Sequence, residues 1–312
     1  MHKIGIDLGG TKIESVLLDE DNSIIRKSRV LTEKQKGYNF ILDSIISQIK
    51  EMSFESERLK SMRNLKEETS IGIGINGTFL KKTGTVTHSS TDCIIGSNLK
   101  YDLESKLGQK ISMENDANCF AMAEANLGSG QGFTSVFGVI MGTGVGAGIV
   151  INGKLFSGKL GVAGEWGHHS INPNGKKCYC GNVGCVDTYI SGPSLELRWH
   201  ELTGEQIPLE LILNFSSNIH FKQWKLEFLE NFAVGLSNVI NIIDPDVIIL
   251  GGGVSNIPFL YNEGKEAVYR KIVGHNVETP IISNKLGDSS GVIGAALLNK
   301  KLLWFYCGWW LT

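Results

Sequence analysis

Hydrophobic positions at the start of the chain alternate. In "KIGIDL", Ile4, Ile6 and Leu8 share one face, Gly9–Gly10 turn the chain, and Ile13 to Leu18 supply a second apolar run that closes at an Asp/Asn turn. This pattern predicts strand, glycine turn, strand. A related plan returns at residues 135–154, "SVFGVIMGTGVGAGIVINGK", which ends in an Asn152–Gly153 hairpin signal. Two such units predict a duplicated architecture with one phosphate-sized turn in each half. Between and after them the period changes. Phe40, Ile41, Ile45, Ile46 and Ile49 make an apolar helical face over 38–52, and 53–69 read as a charged helix end and loop. "IGIGINGTF" reads as a strand running into a turn, and "ENDANCFAMAEANLG" as a helix from near Asp116 to Gly128. Leu226, Leu229, Phe232, Ala233, Leu236, Val239, Ile240 and Ile243 continue a helical period until Asp244–Pro245 stops it. "DVIILGGG" then reads as a buried parallel-type strand entering a glycine turn. Hairpins mixed with strand–helix alternation predict an α/β fold.

Length and composition set limits on this reading. The chain has 312 residues, enough for two domains, with 30 basic and 32 acidic side chains and a net charge of −2. No basic face argues for a nucleic-acid or membrane partner. The N-terminus lacks a secretory pattern, and no apolar run reaches the about 18 residues of a membrane span. A cytoplasmic, reducing location is the expectation, one in which disulfides rarely persist. The 38 glycines point to many tight turns and close backbone approaches.

Three glycine turns end apolar strands. In "DLGGTK", Gly9 and Gly10 would let backbone N–H groups approach a phosphate, with Thr11 and Lys12 adding a hydroxyl and a charge. Asp7 could hold Mg²⁺; the same residues would also suit a plain tight hairpin. The others are Gly142-Thr143-Gly144 and Gly251 to Gly253; together the three suggest strand ends converging on a nucleotide. Asp116 has two readings, a helix N-cap or a general base for a hydroxyl nucleophile, with Asn115 holding the substrate. Asn115, Glu165 and Asp187 are the kinds of group that bind sugar hydroxyls. Glu165 and His168, three apart, could face a substrate together; His169 reads as a surface or supporting residue.

Three of the six cysteines, Cys178, Cys180 and Cys185, form C-x-C-x₄-C, and His168 lies ten residues before the first. Gly181 and Gly184 let the chain fold back. A Cys₃His set suits tetrahedral Zn²⁺, with redox chemistry or simple packing as the other readings. Cys93, Cys119 and Cys307 are scattered and read as packing.

In order, "IGIDLGGTK", "ENDANCFA", "GTGVGAG", "GEWGHH", "CYCGNVGC", "DPDVIILGGG" and "GDSSGVIGAAL" resemble the ROK family of bacterial sugar kinases and repressors, in the actin-like ATPase superfamily. Within it, "GEWGH", "CYCG", "YISG" and "LGGGVSN" look most like the fructokinase branch, with N-acetylglucosamine kinases next. The resemblance implies a two-domain, ribonuclease H-like fold with duplicated βββαβα halves and a cleft. Residues 1–116 plus a C-terminal helix at about 290–312 would form the small domain. Residues 117–289 would form the large one, carrying the zinc loop.

It further implies ATP-dependent phosphorylation of a hexose at the 6-hydroxyl, fructose by expectation, with Asp116 as base. N-acetylglucosamine, mannose or glucose are the alternative acceptors. Asn76, Gly77, Ser90, Asn115, Asp116, Glu165, His168 and Asp187 would bind the sugar. Asp7, Gly9, Gly10, Thr11, Lys12, Gly142, Thr143, Gly144 and Gly251 to Gly253 would bind Mg²⁺ and ATP. His168, Cys178, Cys180 and Cys185 would hold a structural zinc, and the expected assembly is a homodimer.

Three positions depart from the family pattern, all on the sugar side. Asp187 replaces a longer Glu, Asn76 replaces a turn proline, and Ser90 replaces an Asn. A sugar-binding pseudokinase is the reading that these departures keep open. A repressor is disfavoured because the first strand starts at residue 3 and no basic footprint accompanies it. The tail "LLWFYCGWWLT" reads as packing of a chain end, or as a subunit interface if exposed.

Overall fold

The computed structural model describes residues 1–63, 68–274 and 278–298. The aromatic tail, Cys307 and the end of the expected C-terminal helix lie outside them. The chain builds two five-stranded sheets of matching plan. In the first, β1 (Lys3–Leu8), β2 (Lys12–Leu18) and β3 (Ile24–Leu31) form an antiparallel meander. Helix α1 (Tyr38–Arg63) leads to β4 (Ser70–Ile75), the β5–β6 ribbon (Gly77–Leu80, Thr85–Ser89) and α2 (Leu99–Leu107). Then come β7 (Ser112–Asn115) and α3 (Asp116–Leu127). Strands β1, β4 and β7 are parallel neighbours, giving the order β3-β2-β1-β4-β7.

The second sheet repeats the order as β10-β9-β8-β11-β12. Its strands are β8 (Ser135–Met141), β9 (Val145–Ile151), β10 (Lys154–Leu155), β11 (Val247–Gly251) and β12 (Ile281–Ser283). Between β10 and β11 run α4 (Asp187–Ile190), α5 (Gly192–Thr203), α6 (Leu209–Ile212) and α7 (Ile219–Ile243). Helix α8 (Glu263–Tyr269) precedes β12, and α9 (Ser290–Leu297) follows it. The Asn152–Gly153 turn takes positive φ at both residues, as its sequence predicts.

Two expectations need correction. Helix α1 runs through the charged stretch to Arg63, because Met52, Ser56 and Lys60 keep one side of it buried. The membrane reading also needs a qualification. Among the described residues α7 is the one helix long and apolar enough to cross a bilayer. Its Phe228, Phe232, Leu236 and Ile240 are buried in the core of the second half.

The last helix of each sequence repeat lies on the other repeat's sheet. Helix α3 packs on β8 and β9, while α9 packs on β1 and β4, and the two helices cross. Small residues permit the crossing: a β-carbon at Gly294 would lie 1.7 Å from the Cys119 carbonyl oxygen, and one at Gly72 1.8 Å from that of Ala295. Glu124 of α3, fully buried, ties the entry of α9. Its carboxylate accepts from the backbone N–H groups of Ser129, Lys285 and Leu286 and from the Ser290 hydroxyl, at 2.9–3.2 Å.

Candidate active site

Parallel strands side by side deliver their C-terminal ends to one place. Asp7 lies opposite Gly74 on β4, and Ile75 lies opposite Asn115 on β7. The Asn76 N–H donates to the Leu8 carbonyl at 3.1 Å, and the Ser89 hydroxyl donates to the Asn76 carbonyl at 2.6 Å. Asp7, the Gly74–Gly77 turn, Asn115 and Asp116 therefore share one edge. Gly10 abuts the Ser90 side chain, where a β-carbon would meet Oγ at 2.9 Å. The Thr32 hydroxyl donates to the Gly9 carbonyl at 2.7 Å, bracing the turn from the far strand.

Asp116 is not the N-cap of α3. Asn115 is: its Oδ1 accepts from the Asn118 N–H at 2.7 Å, and Asn115 keeps extended φ/ψ. Asp116 is the first helical residue, and its Oδ1 accepts the neighbouring Ala117 N–H. Burial pushes its carboxyl up to about 6, helped by Glu165 and opposed by local backbone N–H groups. Burial likewise pushes Asp7 up to about 7; the Asp116 and Glu14 charges add to this and Lys12 opposes it. Glu14 went unnoticed in the sequence. It is buried between Lys12 and Arg29, with Lys12 Nζ at 3.5 Å and Arg29 Nη2 at 3.1 Å. Strand register could have found it, since Glu14 pairs with Asp7 on β1 and with Arg29 on β3.

The other glycine turns sit at the matching edge of the second sheet. The β8–β9 turn holds Gly142, Thr143 and Gly144; the Gly142 carbonyl accepts from the Gly192 N–H at 2.8 Å. The three glycines after β11 differ in role. Gly251 packs on Phe120, Gly252 has φ of 81° against Met141, and Gly253 faces open space. Among the described residues no hydrogen bond joins this edge to the Gly9–Lys12 turn.

On the sugar side, Asn115 Nδ2 donates to Glu165 at 3.3 Å. Glu165 begins the short helical turn that carries His168, whose N–H donates to the Glu165 carbonyl. Asp187 is placed differently from a free acceptor group: its Oδ1 takes the Val145 N–H at 2.7 Å, tethering it beneath the β8–β9 turn. Burial raises its pKa, while the Val145 N–H and the nearby His168 oppose that shift. His169 turns away and meets Asn238 of α7 at 3.1 Å.

His168, Cys178, Cys180 and Cys185 converge, with one ligand atom from each lying within 4.8 Å of the others. Cys180 and Cys185 Sγ are 3.7 Å apart and Cys178 Sγ is 3.5 Å from His168 Nδ1. A tetrahedral ion with metal–sulfur bonds of about 2.3 Å spaces its ligands about 3.8 Å apart, close to these two separations, so the donor set suits zinc. Cys178, Cys180 and Cys185 are free thiols in this structure. The outer nitrogen of His168, Nε2, lies 3.0 Å from the hydroxyl of Tyr179, which lies between two of the cysteines.

The ROK family profile matches residues 3–302. The chain belongs to the ROK family. This ROK protein is 36% identical over 309 residues to an N-acetyl-D-glucosamine kinase of Photobacterium profundum, covering 95% of this chain and 99% of that one. The crystal structure of a ROK hexokinase from Thermus thermophilus superposes with a TM-score of 0.83 at 29% identity, covering 96% of this chain and 97% of that one. A ROK family glucokinase from Streptomyces griseus, solved with glucose and AMPPNP, gives 0.73 at 29% identity, with coverage of 95% and 98%. The fold is thus the two-domain actin-like ATPase fold, and the ROK protein is a sugar kinase. A second curated relative, from Haemophilus influenzae and 34% identical, is likewise an N-acetyl-D-glucosamine kinase and not a fructokinase.

Proposed function

We propose that this ROK protein phosphorylates the 6-hydroxyl of N-acetylglucosamine from Mg·ATP, with Asp116 as general base. One observation carries the reading. Asn115 takes over the capping of α3, leaving the Asp116 carboxylate at a strand-end edge with local backbone N–H groups, Ala117's at 2.9 Å, as its partners. A carboxyl raised to about 6 is ionised at neutral pH yet basic enough to share a hydroxyl proton as phosphorus is attacked.

Asn115 and Glu165, joined to each other, would hold the acceptor's hydroxyls beside Asp116. Lys12 and the Gly9–Gly10 and Gly142–Gly144 turns would receive the phosphates. The clustered carboxylates of Asp7, Glu14 and Asp116 supply hard oxygen donors, and Asp7 would hold Mg²⁺, which neutralises phosphate charge when bound. Zinc on His168, Cys178, Cys180 and Cys185 would have no open position. Its chemistry would be structural, pinning the loop that aims His168. Residues 1–116 with α9 and residues 117–289 would close on the substrates as two domains. The packing of α9 on the first sheet supports that division.

The 36% identical N-acetyl-D-glucosamine kinase supports this choice of acceptor. The motifs that resemble the fructokinase branch keep fructose as a second reading. ADP release measured with N-acetylglucosamine, fructose, mannose and glucose decides among them. The expected result is the highest kcat/KM for N-acetylglucosamine. A preference for fructose restores the second reading, and binding without turnover of any sugar makes the protein a pseudokinase.

A further inference from the structure

Tyr179 lies between two of the four metal-ligand candidates, yet its side chain is 75% exposed. Packing therefore does not fix its position. What positions it is His168. The tyrosine hydroxyl is 3.0 Å from Nε2, and the rings meet edge to face with centroids 5.1 Å apart. The inner nitrogen, Nδ1, faces Cys178 and is the nitrogen turned toward the sulfur cluster. A ligating Nδ1 must offer a lone pair, so Nε2 carries the hydrogen and donates to the Tyr179 oxygen. That N–H is also the only polar group His168 has left for a substrate. The turn that carries His168 starts at Glu165, which accepts from Asn115, so the Tyr179–His168 pair belongs to the loop that borders the proposed sugar side.

We propose that Tyr179 is a specificity-determining residue of the acceptor site: its hydroxyl occupies the His168 Nε2–H until a sugar hydroxyl replaces it. This rests on the sugar-kinase reading of the same site. A sugar that bonds His168 must displace a partner of equal polarity, so only acceptors presenting a well-placed hydroxyl recover the bond. The exposed ring can swing outward without opening the core. After it swings it walls the pocket with an aromatic face, a surface suited to the apolar side of a pyranose or to an N-acetyl methyl group.

The test uses the full chain with its metal. Tyr179→Phe keeps the ring and removes the competing hydroxyl. Calorimetric titration with N-acetylglucosamine, fructose, mannose and glucose, without ATP, is expected to show Kd about three- to ten-fold lower for each sugar the wild type binds. Discrimination among sugars is expected to narrow. Zinc content by elemental analysis is expected to stay at the wild-type value. Tyr179→Ala, which also removes the wall, should lose the gain in affinity. Unchanged Kd values in Tyr179→Phe at full zinc content would overturn the proposal. So would zinc loss in that variant, which would make the tyrosine a support for the metal loop. A wild type that binds sugars without turning them over defeats the kinase reading but leaves the Kd comparison decisive. A wild type that binds none of them defeats both.

Discussion

Asp116 shows how one residue's neighbour can decide its chemistry. Had Asp116 capped α3, its carboxylate would be held by the helix N-terminus and its pKa lowered. With Asn115 as the cap, burial dominates and the pKa rises to about 6. Because the base must be ionised, kcat/KM should climb as pH rises through about 6 and level off above it, as initial rates across pH 5–8 would show. Asp116→Asn should lower kcat by about 10²–10⁴-fold while sugar Kd changes little, and the remaining rate should lose that pH limb. Full turnover in the variant would exclude Asp116 as the base. Asp187→Glu adds one methylene and should strain the bond to Val145, shifting acceptor preference in the same sugar panel. The residue types at these positions were legible in the sequence, as were the four members of the sulfur cluster. Which of Asn115 and Asp116 would cap the helix was not, because both are good caps and only the φ/ψ of the preceding strand end decides. Tyr179 and Glu14 were also missed, since each matters through a partner far away in sequence or on another strand.

Elements were legible where periodicity was strong. The β1–β2 and β8–β9 hairpins, the α3 boundaries and the buried β11 strand followed from alternation, glycines and the Asp244–Pro245 stop. Helix α1 outran its sequence signal because tertiary burial of Ser56 and Lys60 outweighs a charged, polar stretch. Loop 168–185 had no periodicity at all; backbone pairing of Ser170 with Cys185 and of Lys177 with Val183 folds it back, and the proposed zinc would fasten it. Removing zinc with a strong chelator should loosen this loop and weaken sugar binding, and Cys185→Ser should lower zinc content to near zero by elemental analysis. A protein with intact sugar affinity after complete zinc loss would refute the clamp. Glu124 is the corresponding fastener between α3 and α9. Glu124→Ala would deprive three part-buried backbone donors of their acceptor, while the Ser290 hydroxyl keeps the Gly287 carbonyl, at a cost of about 2–4 kcal/mol. Differential scanning calorimetry should show a Tm about 5–10 °C lower. A shift under about 1 °C would mean that water or a nearby side chain satisfies those donors.

For the whole molecule, the duplicated plan was visible as two hairpins of the same style, and the matched sheet orders bear it out. The exchange of terminal helices was invisible, because no local pattern says which sheet an apolar helix will cover. Gly294→Ala tests how tightly that crossing is packed. The added methyl would collide with the Cys119 carbonyl, so stability should fall by several °C or soluble expression should fail.

The exchange also bears on how the chain could be divided. Cutting between α3 and β8 yields a leading fragment that carries the helix for the trailing fragment's sheet, and a trailing fragment that carries the helix for the leading one's. Neither fragment could cover its own apolar face alone, and each holds the piece the other lacks. The two are therefore a ready-made complementation pair: insoluble when produced separately, and reassembling when produced together. In that form the protein could report on the association of any two partners fused to its fragments.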